Sequence, residues 1–277
     1  MPRTTKCLRG HRLPRWWLAL VSGALVCSLG QDLAGIDLFG GEGKWSQAMI
    51  DAGFAFARFD CVNDPQNDLQ TKDGIKSFLS LLTRVQDKGI INIGIPCDSW
   101  VWLSRGRHKR TKYAPEGPTD VKNEWVQQNN DLATIVAYII ITAVAFGIHI
   151  LIENPKTSLL WFFEAIQDAL FRVNAVRVCV SMGSFKGPSQ KHLILKSTLP
   201  WLRDLAWVSR SMPALYKNKE HLCEVWEENG VGKVKGKKRR LSESAVYTYE
   251  YGHCCAMLWL GQDKHDVAAW LLARLFG

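Results

Sequence analysis

The sequence predicts an α/β fold, a mostly parallel sheet covered by helices on both faces. Three observations carry that expectation. Short apolar runs recur along the chain, beginning with "LAGIDLF" (33–39), "FAFARFD" (54–60) and "IINIGI" (90–95), as strands buried on both sides do. Between them, apolar residues recur three and four apart, the spacing of helices. Finally, 277 residues with 47% hydrophobic and 22% charged content can bury a sizeable core and do not resemble a disordered polyelectrolyte.

The elements follow in order. After the first strand comes a glycine-rich turn, "GGEGK", then "KWSQAMIDAG" at helical spacing, closing on Gly53. The second strand ends at Asp60. Next, "DGIKSFLSLLTRVQDKG" (73–89) reads as a helix with apolar residues at 75, 78, 79, 82 and 85. The strand "IINIGI" opens into a polar loop, 98–120. The run "LATIVAYIIITAVAFGIHILIEN" (132–154) is apolar enough to suggest a membrane span, but Gly147 divides it. A buried helix from about Asn123, followed by a short parallel strand "IHILI", completes the alternation better than a span does. "SLLWFFEAIQDAL" is another helix, and "AVRVCVS" (175–181) and "KHLILKS" (191–197) are further strands. Repeated βα units of this kind make a Rossmann-like sheet. Past Pro200 the pattern weakens into a small basic C-terminal extension: an amphipathic stretch, a flexible segment "VGKVKGKKRRLSES", and a closing helix "DKHDVAAWLLARL". The expected organisation is an N-terminal segment (1–30), an α/β domain (31–200) and a short variable region (201–277).

Residues 1–30 carry their own signature. A basic stretch precedes an apolar run from Trp16 to Leu29, with Ser28 and Gly30 ahead of Gln31. This is the layout of a secretory signal peptide or anchor, with a cut after Gly30, and it is short for a membrane span. A helix packed on the body is the plainer alternative. The cysteines point away from secretion. There are eight, with no C-x-x-C pair and no regular spacing, so most read as small buried hydrophobes rather than a zinc site or disulfide framework. No metal is expected, and a reducing compartment, nuclear or cytosolic, suits them. The formal charge is +9, clustered in Arg3–Arg15, Arg105–Lys112 and Lys233–Arg240. Such clusters favour a phosphate-rich partner: DNA or RNA, or an anionic membrane if the N-terminal segment is retained as an anchor.

In sheets of this type, ligands sit at the C-terminal ends of strands. The first strand ends in "DLFGGEG" (37–43), whose glycines let the backbone approach a ligand closely. The second ends at Asp60, 19 residues beyond Gly41, where a carboxylate can accept both hydroxyls of a ribose. Asn67 and Asp68 follow, able to meet an adenine edge. The phosphate loop of an ATPase, GxxxxGK[ST], does not occur in the sequence. "IINIGI" delivers Pro96-Cys97, and "IHILI" delivers Glu153-Asn154-Pro155. A thiol and a carboxylate thus converge on the edge that holds the nucleoside signals, and chemically they are a nucleophile with a proton donor.

The ordered set "DLFGGEG", "FD", "ND", "IPCDSW", "IENP" resembles the cytosine-C5 methyltransferase family, whose members carry a D-L-F-x-G-x-G cofactor loop, a P-C nucleophile motif and an E-N motif in that order. "MGSFKGPSQKHLIL" (182–195) looks like a degraded copy of the family's G-x-P-Q-x-R-x-R segment, so the resemblance spans roughly Leu33 to Leu195. It implies S-adenosylmethionine as cofactor and a nucleic acid as substrate. Gly41, Glu42 and Gly43 would wrap the methionine part, with Asp37 nearby and Phe39 and Pro96 bordering the cofactor. Asp60 would hold the ribose and Asp68 the adenine. Cys97 would attack cytosine C6, Glu153 would protonate or hydrogen-bond N3, and Asn154 would support the loop. The base must leave its stack to be reached. Arg105, Arg107, Lys109, Arg110 and Lys191 would grip the nucleic acid, and Trp100 or Trp102 would stack on a base.

The chain also departs from the family. Lys44 stands where a further glycine is usual, Asp98 follows the cysteine where Gln is common, and Lys191-His192 replaces the arginine pair of the downstream motif. "EYGHCCAML" matches the closing segment poorly, and Pro200 to Tyr251 is short for a target-recognition domain. These departures define a second expectation, a catalytically inactive relative that keeps the fold and binds nucleic acid.

Overall fold

A computed structural model describes residues 13–26, 30–118, 123–212, 223–228, 231–236 and 247–276. Six strands form one sheet: β1 (Leu33–Leu38), β2 (Phe56–Phe59), β3 (Val85–Ile93), β4 (His149–Pro155), β5 (Val176–Ser181) and β6 (His192–Ser197). Their order is β2-β1-β3-β4-β6-β5. β2, β1, β3 and β4 run parallel, while β6 is antiparallel to both neighbours. The predicted architecture is thus the observed one, with a single reversed strand.

Alternation along the central strands builds two cores. Ile36, Leu38, Ile91, Ile93, Ile150 and Ile152 face one layer, formed by α1 (Arg15–Val26), α3 (Lys72–Leu82), α5 (Glu124–Ala145) and α6 (Glu164–Arg172). Ile90, Leu151, Leu193 and Leu195 face the other, which holds α2 (Lys44–Asp51), α7 (Leu202–Ser211), α8 (Tyr249–Trp259) and α9 (Lys264–Phe276). A one-turn helix, α4 (Arg105–His108), interrupts the loop after β3. The region expected as an appended variable segment therefore supplies three helices to the second core.

Three expectations change, and one left open takes a form. The helix placed over 73–89 stops at Leu82, and Val85 opens β3 opposite Leu33. Its β-branched side chain is buried in the sheet rather than in a last helical turn. The helix placed over 158–170 begins only at Glu164, after a 3-10 turn over Leu159–Phe162. Of the segment expected to be flexible, Val231–Gly236 is a strand paired antiparallel with Cys223–Glu228, and its remainder lies outside the described residues. The apolar N-terminal run forms α1, which packs on the body. Trp17 is fully buried and its indole Nε1 donates to Thr142 Oγ1 on α5 at 2.9 Å.

The long helix starts where its cap requires, with Asn123 Oδ1 accepting the Val126 N–H at 3.2 Å. It ends at Ala145, Gly147 follows its cap, and β4 pairs at once with β3. Among the described residues no helix is long and apolar enough to cross a membrane.

Candidate functional site

The chain leaves β1 toward β2 on one side and later enters β3 on the other. The C-terminal ends of β1 and β3 therefore flank a topological switch point, the crevice where open α/β sheets bind ligands. A cavity of about 390 Å³ opens there. It is lined by the β1 loop (Phe39, Gly40, Gly41, Glu42), the β2 loop (Val62, Asn63), the β3 end (Gly94 to Cys97), and Glu153, Lys191 and Tyr247. Of the residues singled out in the sequence, Phe39, Gly41, Glu42, Pro96, Cys97, Glu153 and Lys191 meet in this one place.

The β1 loop is built for close approach. Phe39 sits at φ 61°, in the left-handed region, which costs a bulky residue about 1–2 kcal/mol. Its N–H still bonds Phe59 O at 3.0 Å. Gly41 follows at φ 55° with open space where a Cβ would stand, so its backbone is bare. Asp60 holds this loop: Oδ2 accepts the Gly41 N–H at 3.0 Å and Oδ1 the Val62 N–H at 2.9 Å. Asn63 Nδ2 adds a bond to Gly41 O at 3.1 Å. Glu42 pairs with Lys44 at 3.1 Å, both side chains about half exposed.

Asp37 and Gly43 lie behind the lining rather than in it. Asp37 is fully buried and accepts from Asn92 Nδ2 at 2.8 Å, across the β1–β3 pair that sets the two residues opposite each other. Burial pushes its carboxyl pKa up, against the pull of Asn92 and Ser46. Asp68 does not reach the cavity, because its Oδ1 accepts the Gln70 N–H at 2.9 Å. Asn63, not Asp68, lines the cavity on the β2 side.

Cys97 is half-buried just past β3. Burial pushes its thiol pKa up, Lys191 pulls it down, and Glu153 and Asp98 raise it further. Asn154 ties the cysteine's loop to β4, its Nδ2 donating to Ile95 O at 3.0 Å. Glu153, 8% exposed, projects from β4 on the same face as Asp37 and Asn92. Burial raises its carboxyl pKa, while Lys191 and a hydrogen bond from Tyr247 lower it. Tyr247 had no motif to announce it. It lies 94 residues from its partner, just before α8.

The basic loop is only partly a surface. Trp100 and Arg110, expected to touch nucleic acid, are 0% and 1% exposed. The Arg110 guanidinium lies 3.8 Å over the Trp100 ring and donates to Ser99 Oγ, Pro115 O, Asn130 Oδ1 and Val126 O. It is a strut fixing the loop to α5, and burial lowers its pKa to about 10. His108 adds a second clasp, its Nδ1 accepting the Arg110 N–H at 2.8 Å and Nε2 meeting Val101 O at 2.9 Å. Arg105, Arg107 and Lys109 are exposed, though Arg107 already lies 4.0 Å over the Trp125 ring. Trp102, 51% exposed, borders a second cavity of about 220 Å³ with Arg105, Lys112 and Thr157.

Among the described residues no group of three or more His, Cys, Asp or Glu side chains could hold a metal ion. No family model matches the chain, and no curated protein matches it.

Proposed function

We propose that the chain is an S-adenosylmethionine-dependent methyltransferase acting on nucleic acid at cytosine C5, with Cys97 as nucleophile. The observation that carries this reading is the meeting of a bare glycine loop, a half-buried thiol and a buried carboxyl in one cavity at the switch point. The residues fit the cofactor. A cavity of about 390 Å³ lies within the range of small-molecule sites. Gly41 offers an approach with no side chain in the way, Phe39 an apolar wall, and Asn63 and Glu42 polar groups. Each Asp60 oxygen keeps a second lone pair after accepting its backbone N–H. When bound, S-adenosylmethionine supplies an electrophilic methyl group.

The chain's own residues prepare the base to receive it. A flipped cytosine meets Cys97, whose thiol proton leaves to water with help from the Lys191 charge. The thiolate forms the S–C6 bond. The C5=C6 electron pair becomes C4=C5, and the N3=C4 pair goes to N3, which takes the Glu153 proton. C5 is then nucleophilic. Burial favours this role for Glu153, because it keeps the acid form available. The exposed Trp102, Arg105 and Lys112 suit contacts to the flanking strand.

Calorimetric titration of the full chain with S-adenosylmethionine and with its demethylated product tests the cofactor. Saturable binding is expected, lost in Asp60→Ala because the glycine loop loses its tether. Absence of binding to folded protein overturns the reading. The raised Cys97 pKa, to which Asp98 contributes, favours the second reading, a relative that binds nucleic acid without turnover. Binding of nucleic acid by a protein that takes no cofactor would select it.

A further inference from the structure

We propose that Tyr247 is a positioning residue of this site: its hydroxyl fixes the Glu153 carboxyl through Oε1 and leaves Oε2 as the oxygen that meets the base. The identity of the base rests on the methyltransferase reading; the geometry of the pair does not. The Tyr247 hydroxyl donates to Glu153 Oε1 at 2.5 Å, both residues line the cavity, and both are buried. Among the described residues Glu153 Oε2 has no hydrogen-bond partner.

The tyrosine's chemistry makes the arrangement directional. Burial and the adjacent carboxyl push its pKa well above the ordinary value, so the hydroxyl keeps its proton and serves as donor. An oxygen that accepts from it is engaged, and the proton of the acid form then resides on Oε2. When that proton passes to the ring nitrogen, the new carboxylate is still held by the tyrosine O–H, a charge-assisted bond stronger than the one it replaces.

The fold prepares the place. A Cβ on Gly94 would stand 2.5 Å from the Tyr247 hydroxyl, so only glycine at the end of β3 admits it. Thr248 caps α8 by accepting the Tyr251 N–H at 3.2 Å, and the Tyr247 and Tyr251 rings lie 5.8 Å apart. The other titratable groups around the pair are Lys191 and Cys97 on the cavity side and Tyr251 and Asp37 behind it.

Tyr247→Phe removes only the hydroxyl. The infrared C=O stretch of protonated Glu153, assigned by its loss in Glu153→Gln, is titrated with pH in the unliganded full chain. Because the tyrosine bond favours the carboxylate, its loss moves the Glu153 titration to higher pH. Gly94→Ala, which displaces the hydroxyl without removing it, moves it the same way. In turnover, kcat for methyl transfer falls about 10- to 100-fold while KM for S-adenosylmethionine holds, and the alkaline limb of the kcat profile moves to higher pH. Superimposed titrations in wild type and folded Tyr247→Phe overturn the proposal, as does an unchanged kcat in Tyr247→Phe when the wild type transfers methyl. A shifted titration in a protein that transfers no methyl group overturns the methyltransferase reading alone.

Discussion

Glu153 lines the cleft and Asp37 lies behind it, and burial raises both carboxyl pKa values. The folded protein therefore binds these two protons more tightly than the unfolded chain does. Stability contributed by the acid forms is fully present below the unfolded carboxylate pKa and is lost as pH rises through the folded values. Glu153→Gln and Asp37→Asn remove that loss. Each should raise Tm at pH 8 by about 2–4 °C, the response to ~1 kcal/mol in a chain of this size, and have a smaller effect at pH 4. Thermal unfolding at the two pH values measures this, and an equal change at both would show that the gain has another source. Glu153→Gln would gain stability at a position the proposed chemistry uses, which is the usual exchange at active sites.

Which elements form was readable from periodicity, and how they join was readable in part. Strands β1 to β4 announced themselves as apolar runs ending in Gly, Asp, Pro-Cys and Glu-Asn, and the cavity assembles from those ends. Strand direction left no such trace. "KHLILKS" is as apolar as its neighbours, yet β6 runs antiparallel, because apolar content reports burial and not polarity of the chain. Residue type also misled for Trp100 and Arg110, since a basic, aromatic run looks alike whether it faces solvent or folds back on α5. Tyr247 was invisible because its partner is remote in sequence. For α1 the apolar run was ambiguous between a cleaved leader and a packed helix, and the buried Trp17 indole bonded to Thr142 gives the helix a role in the core. Trp17→Ala should cost about 3–5 kcal/mol, the range for emptying a buried Trp site, measured by denaturant unfolding with an unchanged m-value. A loss below about 1 kcal/mol would mean that α1 contributes little to the folded state.

At the scale of the molecule, two cores brace one sheet, and the function proposed lies along the C-terminal edge of its parallel strands. On that proposal, the net charge of +9 would draw a polyanion toward the surface, and the exposed Trp102, Arg105 and Lys112 beside the second cavity would give it a local grip. Binding alone does not separate an enzyme from an inactive relative, because both use the same fold and the same charge. The bond between Cys97 and a base does. Oligonucleotides, DNA and RNA, carrying 5-fluorocytosine are incubated with the full chain and S-adenosylmethionine, denatured, and mapped by mass spectrometry. Fluorine at C5 does not leave as a proton does, so the thioether to C6 persists after methyl transfer. The account predicts a denaturation-stable adduct on Cys97, heavier by the transferred methyl group and lost in Cys97→Ala. Folded, cofactor-binding protein that forms no adduct with either nucleic acid and incorporates no methyl group would contradict it.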